Sequence, residues 1–241
     1  MHGKSVLLAW LQQRDTLTDE EKNAITALPV RVVSIAANED FIMMGSRASV
    51  SCLLLEGFAA RVQYLQSGKR QITAVHVAGD FVDLHAFLLK IMDHSVMSLG
   101  LCKVAFVEHT DLEKLTLKLP HLARLLWLST VIDGAIQRAW ITCLGRRSTL
   151  QHLAHLICEL YLRLEVVGLA EKGSFTFPIT QEQLGDALGL STVHVNRTLQ
   201  DLRATGLVQW RGTSVTITDF EKLASLAEFD PLYLQLNREP R

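Results

Sequence analysis

The stretch Pro120–Leu144 constrains the fold of this chain more than any other segment. Its spacing predicts one long helix that begins at Pro120, where the missing amide donor of proline costs nothing. The middle of this helix is apolar nearly all round, and its few charged residues are Arg124, Asp133 and Arg138. A helix that is apolar on every side must be covered on every side. We expect the protein's own domain to cover one side and a second copy of the helix the other. The alternative is a central helix within a monomer.

Composition excludes several classes of protein. Of the 241 residues, 49% are hydrophobic and 20% are charged, which is typical of a globular protein and not of a disordered or collagen-like chain. No apolar run approaches the about 18 residues of a membrane span. Residues 1–14 lack a cleavage site for secretion, so we expect a surface helix there and not a signal peptide. We also expect no membrane contact and, because the cysteines are far apart, a protein of the reducing cytoplasm.

The four cysteines and the net charge exclude further classes of protein. The cysteines are far apart and form no CxxC pair, which argues against a zinc ribbon, an iron–sulfur ligand run or a disulfide framework. The net charge of −1 excludes a generally polybasic protein. Any binding of nucleic acid must therefore come from a local face.

The segment before the long helix reads as β-rich. Thr18 and Glu21 predict a capping box for a short helix over residues 17–28. Short strand patterns separated by turn signals then follow, and Ser67-Gly68 is typical of a hairpin. Residues 83–91 have helical spacing. The predicted strands indicate an all-β roll or barrel, and they cover residues 31–36, 52–56, 60–65, 71–77, 95–99 and 103–108.

After the long helix the pattern changes again. Gly145 is expected to end that helix and to mark a domain boundary, and Ser148 with Gln151 caps a new helix with one apolar stripe. The predicted domains are therefore residues 1–119, 120–144 and 145–241. They are a β-roll domain with N-terminal helices, a pairing helix and a C-terminal domain, within an α+β fold.

The C-terminal domain contains a helix-turn-helix pattern. Thr180 and Gln183 cap a short helix, Gly189 stops it, and Ser191 caps a second helix. Two strand patterns, residues 207–210 and 214–218, follow directly. This order predicts a winged helix.

The second helix of this pattern has one buried and one outward side. Val195, Leu199 and Leu202 form the predicted buried stripe. On the outward side Arg197 can donate two hydrogen bonds to guanine, and Asn196 or Gln200 can read adenine. Val193 would contact a thymine methyl group, and helix starts can hold phosphate. The expected DNA-binding residues are Thr180, Gln181, Ser191, Thr192, Val193, His194, Asn196, Arg197 and Gln200. The alternative is a regulatory module whose helical C-terminus docks a protein.

Charge limits the affinity expected of this face. Between residues 179 and 213, the charges of three arginines and three acidic residues cancel. The arginines are Arg197, Arg203 and Arg211, and the acidic residues are Glu182, Asp186 and Asp201. We therefore expect modest non-specific affinity and a need for two half-sites read together. Arg146 and Arg147 either add phosphate contacts or cap carbonyls of the preceding helix.

Over residues 30–218 the chain resembles the Crp/Fnr transcription regulators. The most specific stretch runs from Ile179 to Arg197 and is similar to the family's DNA-recognition segment. The resemblance implies a homodimer on a pseudo-palindromic operator of double-stranded DNA, with RNA polymerase as a further partner. It also implies that Ser191 contacts phosphate or base and that Arg197 reads guanine. Thr192 and Val193 depart from residues frequent in the family, so the half-site should differ.

The sensor cassette departs further from the family pattern. Asp83 stands where cyclic-nucleotide-binding members have a glutamate, and His94-Ser95 stands where they have Arg-Ser. An imidazole cannot replace a guanidinium fork on a phosphate, so we expect no cyclic AMP. No iron–sulfur cluster is expected, because the first cysteine is Cys52. The effector is unknown, and its candidate pocket is Gly79, Asp80, Phe81, Val82, Asp83, His94 and Ser95.

The remaining histidines are expected to be structural. His152, His155 and Cys158 drift around their helix, so we interpret them as a solvated face and predict no metal there. His85 and His94 flank the candidate pocket and are interpreted as satisfied polar histidines, the alternative being haem or metal. No catalytic or phosphate-loop motif is present, so an enzyme is not expected.

Overall fold

A computed structural model describes residues 4–241 of the chain. Contacts divide it into two compact units. The first comprises Met1–Arg61, Val75–Gly134 and Gln235–Arg241, and the second comprises Val62–Ala74 and Ala135–Leu234. The first three residues of the predicted N-terminal helix lie outside the described residues.

The chain up to the long helix contains seven strands and four helices within the described residues. The strands are β1 Arg31–Ile35, β2 Asp40–Ile42, β3 Val50–Glu56, β4 Phe58–Tyr64, β5 Arg70–Val77, β6 Ser95–Ser98 and β7 Cys102–Glu108. The helices are α1 Ser5–Arg14, α2 Asp19–Ala27, α3 Ala86–Leu89 and α4 His109–Lys118.

These strands form two sheets, with the orders β1-β7-β3 and β2-β6-β4-β5. β7 is antiparallel to both neighbours, with Arg31 opposite Phe106 and Cys52 opposite Phe106 on its other side. One apolar core draws on strands of both sheets, including Ile35, Leu54, Val96 and Val104. The β-roll is confirmed, because alternate side chains of both sheets meet in one buried layer.

Several local expectations needed correction. The strand β2 escaped prediction because it has only three residues. The predicted helix over 83–91 is a single turn that ends at Lys90, which has a φ of 68°. Helix α4 was missed as well. The N-terminal helix α1 is not simply a surface helix, because it buries Leu7, Trp10, Leu11 and Arg14.

The long helix α5 spans Pro120–Arg146. Gly145 does not end it as predicted. A glycine stops a helix when it takes a left-handed conformation, and Gly145 is not among the residues with positive φ. The division between the compact units falls within this helix, after Gly134. The functional boundary at Gly145 stays a prediction.

The second unit contains the C-terminal helices and a small antiparallel sheet in the order β10-β11-β9-β8. Its elements are α6 Thr149–Val166, β8 Ala170–Glu171, β9 Ser174–Thr176, α7 Gln181–Leu188, α8 Thr192–Ala204, β10 Val208–Arg211, β11 Ser214–Ile217 and α9 Phe220–Ala227, followed by a 3-10 turn at Pro231–Leu234. The predicted winged helix is confirmed, with α7 and α8 directly before the β10–β11 hairpin.

Capping explains why these helices begin where they do. Complete capping boxes occur at Thr18 with Glu21, Ser148 with Gln151, and Thr180 with Gln183, all as predicted. In each, the hydroxyl accepts from the third backbone amide while the third side chain takes up the amide of the cap residue. Among the described residues, no helix has the length and apolarity needed to cross a membrane.

Candidate nucleic-acid interface

The turn between α7 and α8 depends on two glycines. Gly189 has a φ of 69°, a left-handed conformation that glycine adopts without strain. A Cβ on Gly185 would come 2.7 Å from the Leu190 carbonyl oxygen and 3.4 Å from Val195 Cγ2. The close approach of the two helices therefore requires a residue without a side chain at Gly185, a role that the sequence analysis missed.

The inner side of α8 is buried as predicted. Val195 is fully buried, and Leu199 and Leu202 are buried with it. Thr198 is also buried, and its hydroxyl lies 2.9 Å from the His194 carbonyl oxygen and 3.2 Å from Thr149 Oγ1. A β-branched polar residue beside an apolar stripe could have signalled this position, because its hydroxyl can bond to the preceding turn.

The outward side of α8 faces solvent. All nine residues of the expected DNA-binding set are exposed, and Val193 is 68% exposed. The side chains of Arg197 and Gln200 make no hydrogen bond or ion pair with any residue between 4 and 241. Their donors are therefore available to an external acceptor.

Some of the expected contact groups are held by local bonds. Ser191 Oγ lies 2.8 Å from His194 Nδ1 and also accepts from the His194 amide. Asn196 Nδ2 donates to the Thr192 carbonyl oxygen over 3.2 Å. These bonds orient the first turn of α8. The side-chain oxygen of Asn196, Oδ1, takes no part in the bond to Thr192.

The wing follows α8 immediately. β10 and β11 pair from Val208 opposite Ile217 to Arg211 opposite Ser214. Trp210 Nε1 donates to the Gly212 carbonyl oxygen over 3.1 Å, which pins the turn. Arg211 stays exposed at this turn.

The two arginines at the end of the long helix, Arg146 and Arg147, behave differently. Arg147 Nη1 donates to His155 Nδ1 over 2.9 Å, and Nη2 donates to the Glu228 carbonyl oxygen over 2.8 Å. The Arg147 side chain ties α6 to the end of α9 and donates to Cys143 Sγ instead of a carbonyl of α5, so the capping expectation is wrong, and a phosphate contact of Arg147 stays a prediction. Arg146 is exposed, so a phosphate contact there stays a prediction.

The predicted solvated face of α6 is wrong. His152, His155 and Cys158 are all buried, and Glu159 is fully buried. Arg147 donates to His155 Nδ1, so the ring proton is on Nε2, which lies 3.0 Å from the Tyr233 hydroxyl. That hydroxyl donates to Glu159 over 2.8 Å. Trp140 and Arg163 donate to the same carboxylate. His155, Tyr233 and Glu159 are thus the centre of one hydrogen-bonded network, which Arg147, Trp140 and Arg163 join.

Burial shifts the pKa values of His152, His155 and Glu159 on α6. Desolvation, assisted by the Arg147 cation, lowers the pKa of His152 to about 4 and of His155 to about 3. Both histidines are therefore neutral near pH 7. Burial also raises the pKa of Glu159, against the opposing effect of Arg163.

In the first unit, the candidate effector residues are occupied by internal bonds. Asp83 is buried, and its Oδ1 accepts from the Cys52 amide over 2.6 Å. Desolvation raises the pKa of Asp83 to about 7. Ser95 Oγ accepts from the Met44 amide over 3.0 Å. Asp80 Oδ2 accepts from the Val77 amide over 2.9 Å. The carboxylate and hydroxyl groups are thus engaged by the backbone of the roll.

A chain of polar side chains runs through the same region. Arg61 Nε donates to His94 Nε2 over 3.1 Å, so His94 carries its proton on Nδ1 and donates to Asp93 over 2.6 Å. Arg61 Nη2 donates to Asp133 on α5 over 2.8 Å. Burial and the Arg61 cation lower the pKa of His94 to about 4. Sequence analysis missed Arg61 and Asp133, although a lone acid in an apolar helix is a usable signal.

These residues do not fit a cyclic phosphate. His94 is neutral, and both of its ring nitrogens are engaged. Asp93 adds negative charge beside it, and the only guanidinium in this chain of contacts, that of Arg61, is paired with Asp133. All four cysteines are buried free thiols.

His85 departs from the expectation of a satisfied histidine. Its Nε2 is buried without a hydrogen-bond partner among residues 4–241, and its ring centroid lies 5.0 Å from that of His94. The ligand atoms of His85, Asp93 and His94 lie within 4.8 Å of one another. Arg61 and Asp93 already use both nitrogens of His94, which favours a hydrogen-bonded role for that residue.

Comparison with known proteins agrees with both halves of this architecture. Two family models match: a cyclic nucleotide-binding domain over residues 32–118 and a Crp-like helix-turn-helix domain over residues 151–226. The transcriptional activator protein FnrL of Cereibacter sphaeroides is 25% identical over 201 residues, which is 82% of this chain and 80% of that relative. The fumarate and nitrate reduction regulatory protein of Escherichia coli is 23% identical over 214 residues, covering 88% and 84%.

A solved structure supports the fold. FixK2 from Bradyrhizobium japonicum superposes with a TM-score of 0.74 at 24% identity, covering 83% of this chain and 98% of that one. A β-roll, a long helix and a winged helix-turn-helix with an exposed second helix define a DNA-binding transcription regulator and not an enzyme. The chain belongs to the Crp/Fnr family of transcription regulators.

Proposed function

We propose that this protein binds a pseudo-palindromic DNA operator as a homodimer and regulates transcription from it. The observation that carries the proposal is the solvent-facing side of α8, where the side chains of Arg197 and Gln200 have no partner among the described residues. Two such helices would enter successive major grooves about 34 Å apart. The residues that carry sequence information are then Val193, Asn196, Arg197 and Gln200.

Each residue of the interface has a role that follows from its chemistry. Arg197 presents a free guanidinium fork, which matches the two acceptors of guanine in the major groove. Gln200 offers an amide to adenine, and Val193 an apolar contact to a thymine methyl group. Exposed amides and hydroxyls at the starts of α7 and α8 are suited to bind phosphate. The residues there are Thr180, Gln181, Ser191, Thr192 and His194.

The long helix supports the homodimer. Trp127, Val131 and Ile141 are 70%, 50% and 67% exposed, although they are large and apolar. Trp127 and Ile141 lie two heptads apart, with Gly134 midway, so they follow one side of α5. An open apolar groove beside Trp127 is lined by Leu84, Phe87, Leu88, Leu112 and Leu126. A second copy of α5 would cover both features.

The sensor half is proposed to work without cyclic AMP. The chain Asp93–His94–Arg61–Asp133 already links the roll to α5 through the protein's own side chains. Any effector would act by favouring one arrangement of the two winged helices over another. We also propose that the protein acts in the cytoplasm, where buried free thiols stay reduced, and that it contacts RNA polymerase.

Selection from a pool of random DNA duplexes tests the proposal. The purified full-length protein should enrich a palindromic sequence, and Arg197→Ala should enrich the same sequence with one base position relaxed. Lys172→Ala serves as the matched control, because it removes an exposed cation from another loop of the same unit. The absence of any enriched palindrome, together with capture of the protein by a peptide or protein ligand, would favour the docking alternative.

A further inference from the structure

The tip of the β4–β5 hairpin belongs to the same compact unit as the helix-turn-helix. Residues Val62–Ala74 cluster with Ala135–Leu234. The tip is closed by a hydrogen bond of 2.8 Å from the Leu65 amide to the Lys69 carbonyl oxygen, and Gly68 has a φ of 79°. The next two residues, Arg70 and Gln71, are the first residues of β5 and directly follow this turn.

Arg70 forms ion pairs with two acidic residues of α7. Its Nε donates to Asp186 Oδ2 over 2.5 Å, and its Nη2 lies 3.6 Å from Glu182 Oε1. The side chains of Arg70 and Asp186 are only 23% and 19% exposed. Glu182 and Asp186 are four residues apart, so both carboxylates lie on the side of α7 that meets Arg70.

Gln71 donates to backbone carbonyls at the C-terminal end of α7. Its Nε2 donates to the Asp186 carbonyl oxygen over 2.6 Å and lies 3.4 Å from the Ala187 carbonyl oxygen. These two carbonyls belong to the last turn of α7, which ends at Leu188. The last four carbonyls of a helix have no partner within it. The hairpin thus caps α7 at its C-terminus while it pairs with its acidic side.

These contacts change the charge balance of the DNA-binding unit. Between residues 179 and 213, three arginines are balanced by three acids. Arg70 compensates two of these acids, Glu182 and Asp186, and Asp201 is the remaining one. The N-terminus of α7, which suits phosphate, belongs to the same helix as both compensated carboxylates. Without Arg70, these carboxylates would repel the DNA backbone.

We propose that Arg70 and Gln71 are positioning residues for DNA binding, which clasp α7 from the β4–β5 hairpin and offset its two carboxylates. The inference rests on the proposed DNA contact by α7 and α8. Neither residue needs to touch DNA. The clasp fixes where the start of α7 lies and removes an electrostatic penalty from the approaching phosphates.

Binding of the selected operator tests this clasp. Arg70→Ala should weaken operator binding about tenfold, and the charge swap Arg70→Asp with Asp186→Arg should restore most of that loss. Lys69→Ala, which removes a neighbouring cation of the same hairpin, should bind like the wild type. Wild-type affinity for Arg70→Ala, or an equal loss for Lys69→Ala, would overturn the proposal.

The salt dependence of binding separates the roles of Gln71 and Arg70. Gln71→Ala removes no charge, so it should weaken binding and leave the slope of log affinity against log salt as in the wild type. Arg70→Ala exposes the phosphates to repulsion by two carboxylates, which salt screens, so its slope should be shallower. Wild-type affinity for Gln71→Ala, or a wild-type slope for Arg70→Ala, would overturn the proposal.

Hydrogen exchange tests the clasp in the free protein, so it can be judged even if no operator is found. Arg70→Ala and Gln71→Ala should each speed amide exchange of α7 and of the turn at Gly189, and Lys69→Ala should not. Unchanged exchange in both clasp variants would overturn the proposal. Operator selection by the wild type is decided separately, so failure of the proposed function is distinguishable from failure of the clasp.

Discussion

Arg61 on strand β4 donates to Asp133 on the long helix α5 over 2.8 Å. The side chain of Arg61 is only 6% exposed, and that of Asp133 is 27% exposed. The Arg61 cation, acting against the effect of burial, holds the pKa of Asp133 below its usual range. This pair joins the β-roll to the helix at the place where the family resemblance locates the effector.

Removing one partner of this pair should destabilise the protein. Asp133→Ala removes the carboxylate that pairs with the buried Arg61 guanidinium, which still donates to His94 Nε2 and the Val82 carbonyl oxygen. We expect the free energy of unfolding to fall by about 3 kcal/mol in urea titrations. The exposed pair of Lys103 and Glu56 is the control, and Glu56→Ala should cost less than about 1 kcal/mol. Equal losses would contradict a special role for the buried pair.

Asp83 should make stability depend on pH. Its folded-state pKa of about 7 lies above the unfolded value of about 3.9. The stability that the protonated form supports is therefore fully present below about pH 4 and is lost as the pH rises to about 7. Asp83→Asn keeps an oxygen for the Cys52 amide and cannot ionise. The loss of unfolding free energy between pH 4 and 7 should be smaller in this variant, by at most about 4 kcal/mol. Parallel pH profiles would refute the assignment.

The buried His155 acts with the opposite sign. Its folded-state pKa of about 3 lies below the unfolded value of about 6.5, so the unfolded chain takes up the proton first as the pH falls. Stability from this residue is present above about pH 6.5 and is lost progressively below it. His155→Gln should reduce the loss between pH 7 and pH 5 by about 2 kcal/mol, measured by chemical unfolding at each pH. An unchanged loss in the His155 variant would contradict the assignment.

Arg197 should set one base of the half-site. Arg197→Ala should weaken binding to the selected operator by about 1–3 kcal/mol and relax the preference at a single position in each half. Competition with operators substituted at every position measures this directly. An equal loss against all sequences would mean that Arg197 contacts phosphate only, and an unchanged preference would remove it from the reading residues.

Trp127 should control the oligomeric state. Trp127→Glu puts a charge into the apolar side of α5 and should shift the protein from dimer to monomer in sedimentation measurements at micromolar concentration. Leu117→Glu is the matched control, because Leu117 is 76% exposed on another helix, α4. Dimers that persist in the Trp127 variant, or are lost equally in the control, would exclude this helix side as the interface.

The outward side of α8 could be read from the sequence because the information is local. A buried stripe at Val195, Leu199 and Leu202 follows directly from the helical period, and the opposite side is then exposed. The capping boxes are equally local, since each involves residues three apart. The same reasoning failed for α6, where His155 and Glu159 lie off the apolar stripe and are nevertheless buried. The helix period cannot tell whether further elements cover a second side.

By itself, the sequence determined the three helix starts that have capping boxes and the exposed face of α8, because these depend on residues within a few positions of one another. Only the tertiary structure decided which distant polar groups meet. Arg61 and Asp133 are 72 residues apart in sequence, and Arg70 and Asp186 are 116 apart. No periodicity encodes such pairs, since each forms only when packing removes water from both partners and leaves each as the best available counter-charge for the other.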